Sequence, residues 1–134
     1  MFKLLPLLIL AILLSFTGPA AAIVGNVICE TSNGSPYTSW LMYVVNVGPR
    51  GPGLCIQDNP DVNGRPGCTL CVNHGKGYLK ISICGRRGSQ YTYADIQESL
   101  KKLVGECTRT FAGNGKTGGK FVGQGGQATI FVHL

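Results

Sequence analysis

Three stretches of this chain carry residues whose types and spacing could do chemistry. The first is Ala112-Gly113-Asn114-Gly115-Lys116-Thr117, which looks like the end of a phosphate-binding loop. Such a loop places glycine five positions before its Gly-Lys pair, and here that position is Thr110. It also needs a strand before it and a helix after it, because the phosphates rest on a helix N-terminus. The pattern around 112–117 is the reverse, so the stretch reads as a glycine hairpin.

The second is Cys68-Thr69-Leu70-Cys71 with His74 three residues on. A structural zinc site wants four ligands in two clusters, and a second cluster exists here only if Cys84 or His133 is recruited. A redox pair would open a helix, whereas this one follows Pro66-Gly67 and runs toward a strand. Structural disulfides are the preferred reading, with metal and redox chemistry as the alternatives.

The third is the pair of histidines, His74 and His133, the chain's only two. With an acid such as Glu30 or Glu106 and an arginine such as Arg86 they could make a ribonuclease, one imidazole acting as base and the other as acid. Nothing in their spacing brings them together. No Gly-x-Ser-x-Gly elbow is present, and the six carboxylates show no pair suited to glycoside hydrolysis. The expectation is a protein without metal, cofactor or catalytic residues.

The compartment explains the cysteines. Residues 1–22 hold one basic residue, Lys3, then an apolar run from Leu4 to Phe16 and small residues before a cut after Ala22. That is the layout of a secretory signal peptide, too short to span a bilayer. The expected mature domain is 23–134, a single unit, and losing Lys3 lowers the formal charge from +6 to +5. A chain this small buries a modest core and needs supplementing. Cys29, Cys55, Cys68, Cys71, Cys84 and Cys107 all lie in the mature part. An even count in an exported chain reads as three disulfides whose connectivity stays open.

The elements that must position these residues follow from pattern. Residues 24–30 read as an opening strand. Ser35 before Pro36 and the Gly48-Pro49 stop predict a helix over 36–47. Leu54-Cys55-Ile56 is a short strand between loops at 48–53 and 58–67. In 78–84, Leu79, Ile81 and Ile83 alternate with Lys80 and Ser82, the period of a half-buried strand. Thr92 caps a helix in which Ile96, Leu100, Leu103, Val104 and Cys107 form one stripe. That places Cys107 inward, where a strand cysteine such as Cys84 could meet it. Phe121-Val122, a turn at Gly125-Gly126 and a last strand over Ala128–His133 complete the chain. The order predicts an α+β fold, an antiparallel sheet with two helices packed on one face.

On these elements the chain resembles the small secreted killer-toxin-like proteins of fungi, a group that shades into necrosis-inducing plant-pathogen effectors. The resemblance rests on Cys29 near the mature start, the helix near Ser35–Val47, the run ISICGRRGSQYTYADIQESLKKLVGEC, a glycine-rich stretch and a terminal GQATIFV strand. It implies an α/β sandwich, no enzymatic activity, and an extracellular toxin or effector that binds a target on another organism's cells. In killer toxins that target is linked to ion channels. The chain departs from the toxin type in having fewer cysteines and none at its extreme C-terminus.

The resulting expectation is a secreted, non-enzymatic effector or antimicrobial toxin whose partner is a protein or cell-surface target, with no nucleic acid and no transmembrane segment. Its contacts are expected in exposed loops: Arg50, Arg65, Arg86, Arg87, Lys116 and Lys120. Asn33 opens a formal glycosylation tripeptide, with Pro36 directly after it. The rivals are a secreted hydrolase such as a ribonuclease, and a protease inhibitor using the Gly- and Pro-rich loop at 48–67 as bait.

Overall fold

The computed structural model describes residues 23–48 and 53–134. Nine strands and two helices follow in the order β1 (Gly25–Cys29), α1 (Thr38–Val47), β2 (Leu54–Ile56), β3 (Cys68–His74), β4 (Leu79–Cys84), β5 (Gln90–Thr92), α2 (Tyr93–Cys107), β6 (Thr108–Phe111), β7 (Asn114–Thr117), β8 (Gly119–Gly123) and β9 (Thr129–His133). Five strands form one antiparallel sheet, ordered β1-β8-β9-β4-β3, and the pairs β2-β5 and β6-β7 form two small ones. The fold is α+β and disulfide-stapled.

Alternation in β4 sets the core. Leu79, Ile81 and Ile83 are fully buried, and the register places Ile83 opposite Ile130, Ile130 opposite Phe121 and Phe121 opposite Val27. Directly opposed residues share a face, so these four make one apolar row across the sheet. The stripe expected on α2 is buried at Ile96, Leu100, Leu103 and Cys107, and Thr92 accepts the Asp95 N–H at 3.0 Å as its cap. This helix packs on β1 and β8, while α1 packs on α2 and β7.

Helix α1 begins at Thr38, two residues later than expected. Pro36 and Tyr37 are used as extended edge instead: the Pro36 carbonyl accepts the Thr117 N–H at 3.0 Å and Tyr37 bridges to Lys116. Ser35 is buried and accepts the Ser32 N–H, closing a tight turn rather than capping the helix. The stop at Gly48 holds, its N–H donating to the Val44 carbonyl.

All six cysteines are in disulfides: Cys29–Cys107, Cys55–Cys71 and Cys68–Cys84. Cys107 therefore ties α2 to β1, not to Cys84. The Cys68-x-x-Cys71 pair is split because residues three apart on a strand face opposite ways. Cys68 stands directly opposite Cys84 in the β3-β4 register. The register slips between Leu70 and Val72, so Cys71 bulges out of the ladder and reaches Cys55 on β2. With both sulfurs committed elsewhere, neither a zinc-thiolate nor a redox CxxC site forms at this pair. Among the described residues no helix is long and apolar enough to cross a membrane.

Candidate recognition surfaces

Two surfaces carry candidate contact residues, and they lie at opposite ends of β4. The first is the loop cluster around Arg86 and Arg87. It is organised by Gln57, which is fully buried and makes every hydrogen bond its amide can make. Its Nε2 donates to the carbonyls of Asn59 at 2.8 Å and Gly85 at 3.1 Å, and its Oε1 accepts from Asn59 N at 3.0 Å and the Thr69 hydroxyl at 2.8 Å. Its backbone pairs with Ser89 and Gly88. One side chain thus clamps the segments 57–60, 67–69 and 85–89.

On that clamp Arg86 and Arg87 line a shallow open recess with Pro60, Asp61 and Pro66. Arg87 meets Asp58 at 3.7 Å, but both side chains are largely in water, so the pair holds neither strongly. Arg65 is exposed nearby, at the end of a two-residue turn in which Asn63 and Gly64 take positive φ and Val62 and Arg65 exchange both backbone hydrogen bonds. The structure brings these three arginines to one end of the molecule. Arg50 lies outside the described residues.

The second surface is aromatic and was not singled out from the sequence. Trp40 and Tyr43 on α1 meet the β3-β4 hairpin: the Trp40 ring centre is 5.0 Å from His74 and 5.8 Å from Tyr78, and Tyr43 stacks on His74 at 4.6 Å. Tyr43 is 47% exposed and Tyr78 61%. His74 Nε2 is buried here without a hydrogen-bond partner. Beside the cluster, Lys116 places its ammonium 3.7 Å from the centre of the exposed Tyr37 ring. A sequence signal existed, the i, i+3 spacing of Tyr37, Trp40 and Tyr43, but nothing in it shows that His74 and Tyr78 fold onto the same patch.

Lys116 and Lys120, expected in exposed loops, sit instead on two different strands, β7 and β8. Lys120 is on the face of the large sheet opposite the core, between Ile28 and Phe131, and pairs with Glu30 at 3.0 Å. Asn33 is exposed in the Ser32–Ser35 turn. The stretch 112–117 is a hairpin, with Ala112 and Gly113 both at positive φ in its two-residue loop.

The histidines are not assembled into a pair. His133 is opposite Lys80 and His74 opposite Leu79, and since Leu79 and Lys80 are consecutive on β4 the two imidazoles leave opposite faces of the sheet. His133 Nε2 does meet the Ser82 hydroxyl at 2.9 Å. Ser82, however, is buried within β4, a strand laddered on both sides, so the neighbouring backbone N–H groups are committed to the sheet rather than aimed at an oxyanion.

A further concavity is lined by Ile23, Val24, Tyr91, Asp95, Gln124, Gly125 and Gln127. There the Tyr91 hydroxyl donates to the Ala128 carbonyl at 2.6 Å, and burial, followed by the nearby Asp95 charge, raises the phenol above its ordinary value. This group anchors the β8-β9 turn and offers no base. Comparison with protein-family profiles, with curated proteins and with solved structures finds no match for the chain.

Proposed function

We propose that this chain is an exported, non-enzymatic toxin or effector that binds a protein or cell-surface target of another organism, with residues 1–22 as its secretion signal. In this reading the two helices form one layer over the sheet, the sandwich of the killer-toxin-like group it resembles. Three cross-links suit an oxidising compartment and a preformed binding shape. The observation that carries the reading is the Trp40–Tyr43–His74–Tyr78 cluster, in which Tyr43 and Tyr78 are exposed and Trp40 and His74 half-buried. Large aromatics left at the surface in one patch mark interaction sites, and Trp and Tyr dominate the energetics of such sites. Arg86 and Arg87, held on the Gln57 clamp, are the second set of contacts.

The experiment is to apply the secreted protein and its Tyr43→Ser/Tyr78→Ser variant to target cells. The variant is expected to lose cell association at least tenfold while keeping its fold, which corresponds to about 1.4 kcal/mol or more of binding energy. Equal association of both proteins would remove the aromatic patch from the reading. One observation favours the inhibitor rival: the 57–66 loop is exposed at its tip and flanked by the disulfide-bonded Cys55 and Cys68. Stoichiometric inhibition of a protease, abolished by cleavage in that loop, would establish it instead.

A further inference from the structure

The elements that build the aromatic patch carry no carboxylate. All six acidic residues lie elsewhere: Glu30 after β1, Asp58 and Asp61 in the arginine loops, and Asp95, Glu98 and Glu106 on α2. By contrast α1 and the two hairpins it touches, β3-β4 and β6-β7, hold Lys76, Arg109 and Lys116, while Lys80 leaves the far face of the sheet. Among the described residues Arg109 and Lys116 meet no carboxylate. They stand directly opposite each other across β6-β7, so both leave the same face with Cβ atoms about 5 Å apart. Like charges so placed repel, and although the Lys116 ammonium already rests on the Tyr37 ring, an anion over the pair would be attracted to both.

Tyr37, next to this pair, and the exposed rings of the cluster are of the amphipathic kind. Tyr37 is 43% exposed, and Tyr43 and Tyr78 more so. Trp and Tyr with an apolar body and a polar tip suit a boundary between hydrocarbon and water. Tyr78 lies parallel to Trp40, within 4°, and Tyr43 stacks on His74, so the two exposed phenols are held on a packed base.

We propose that the α1 face docks on an anionic lipid surface, with the exposed rings of Tyr43 and Tyr78 entering the headgroup layer beside the half-buried Trp40 and with Arg109 and Lys116 meeting lipid phosphates. The inference rests on the reading of the chain as an exported binding protein and names the surface that this site meets.

Trp40 is the chain's only tryptophan, so its fluorescence reports the contact without any substitution. Titrating the secreted, disulfide-intact protein with phosphatidylserine–phosphatidylcholine vesicles should shift its emission to the blue, and phosphatidylcholine vesicles alone should not. Binding should weaken as salt rises from 0.1 M to 1 M and the screening length falls from about 10 to about 3 Å. Arg109→Ser/Lys116→Ser should weaken it about 25-fold, roughly fivefold per cation near the surface. Lys101→Glu, on α2, changes net charge by the same amount and should have a much smaller effect.

No shift with anionic vesicles, an equal loss in Lys101→Glu, or binding to polygalacturonate with no response to vesicles would each overturn the proposal. A protein that acts on cells yet shows no shift would keep the binding reading and remove the lipid. A protein that shifts with vesicles but associates with no cell would do the opposite.

Discussion

The fully buried carboxamide of Gln57 donates to the carbonyl of Gly85 across 28 residues of sequence, at 3.1 Å. That bond and its three companions fix the turn from which Arg86 and Arg87 project. Replacing Gln57 by Leu would leave the Asn59 N–H and carbonyl, the Thr69 hydroxyl and the Gly85 carbonyl without this partner. The expected loss is about 2–4 kcal/mol in urea unfolding, since four hydrogen bonds are lost at about 0.5–1 kcal/mol net each. Gln57→Glu should lose a comparable amount, because an ionised carboxylate cannot donate to either carbonyl. Unchanged midpoints would mean that the three loops are held by their backbones alone.

The Cys29–Cys107 disulfide spans 78 residues, the other two 16 each. Chain entropy in the unfolded state then predicts about 4 kcal/mol from the long bridge and about 3 from each short one. The Cys29→Ala/Cys107→Ala variant should therefore unfold at lower denaturant than Cys68→Ala/Cys84→Ala. The reverse order would place more of the stabilisation in native packing around the β3-β4 hairpin.

Tyr91 makes stability depend on alkaline pH. Its folded pKa is raised above the ordinary 10.0, first by burial and then by Asp95. Below pH 10 both folded and unfolded chains keep the phenolic proton, so its contribution is fully present. As pH rises past 10 the unfolded chain releases that proton while the folded one retains it, and stability falls until the folded pKa is passed. Unfolding free energies measured from pH 9 upward should drop more steeply for the native chain than for Tyr91→Phe. Parallel profiles would rule out Tyr91 as the source.

His74 is placed by packing rather than by a bond from its buried Nε2. His74→Phe should preserve the stack with Trp40 and Tyr43 and remove an unpaired polar atom, so thermal unfolding is expected within about 1 kcal/mol of the native value, on either side. A loss above about 2 kcal/mol would point to a partner for the imidazole. The histidines' placement on opposite sheet faces leads to an expectation for chemistry: His74→Phe, which keeps the stack, and His133→Ala, alone or combined, should leave any effect on target cells intact. Abolished RNA cleavage in either variant would reinstate the ribonuclease reading.

Legibility followed locality. The alternation of Leu79, Ile81 and Ile83, the stripe and Thr92 cap of α2, and the glycine turn at 125–126 could be read directly, because each element's buried side is written in its own period and ends. The cysteine count and the small size likewise pointed to three cross-links. Which sulfur meets which was decided only by the tertiary structure: one extra residue at Cys71 turns it toward β2, and the sheet order places β1, not β4, beside the end of α2. The start of α1 moved for the same kind of reason, since the backbone of Pro36 and Tyr37 found partners on β7 some 80 residues away. The aromatic patch, the opposed faces of the two histidines and the Gln57 clamp all join segments distant in sequence. Their geometry depends on strand register, where a one-residue slip reverses every side chain, and register is settled by the free energy of the whole packed core rather than by any local run of residues.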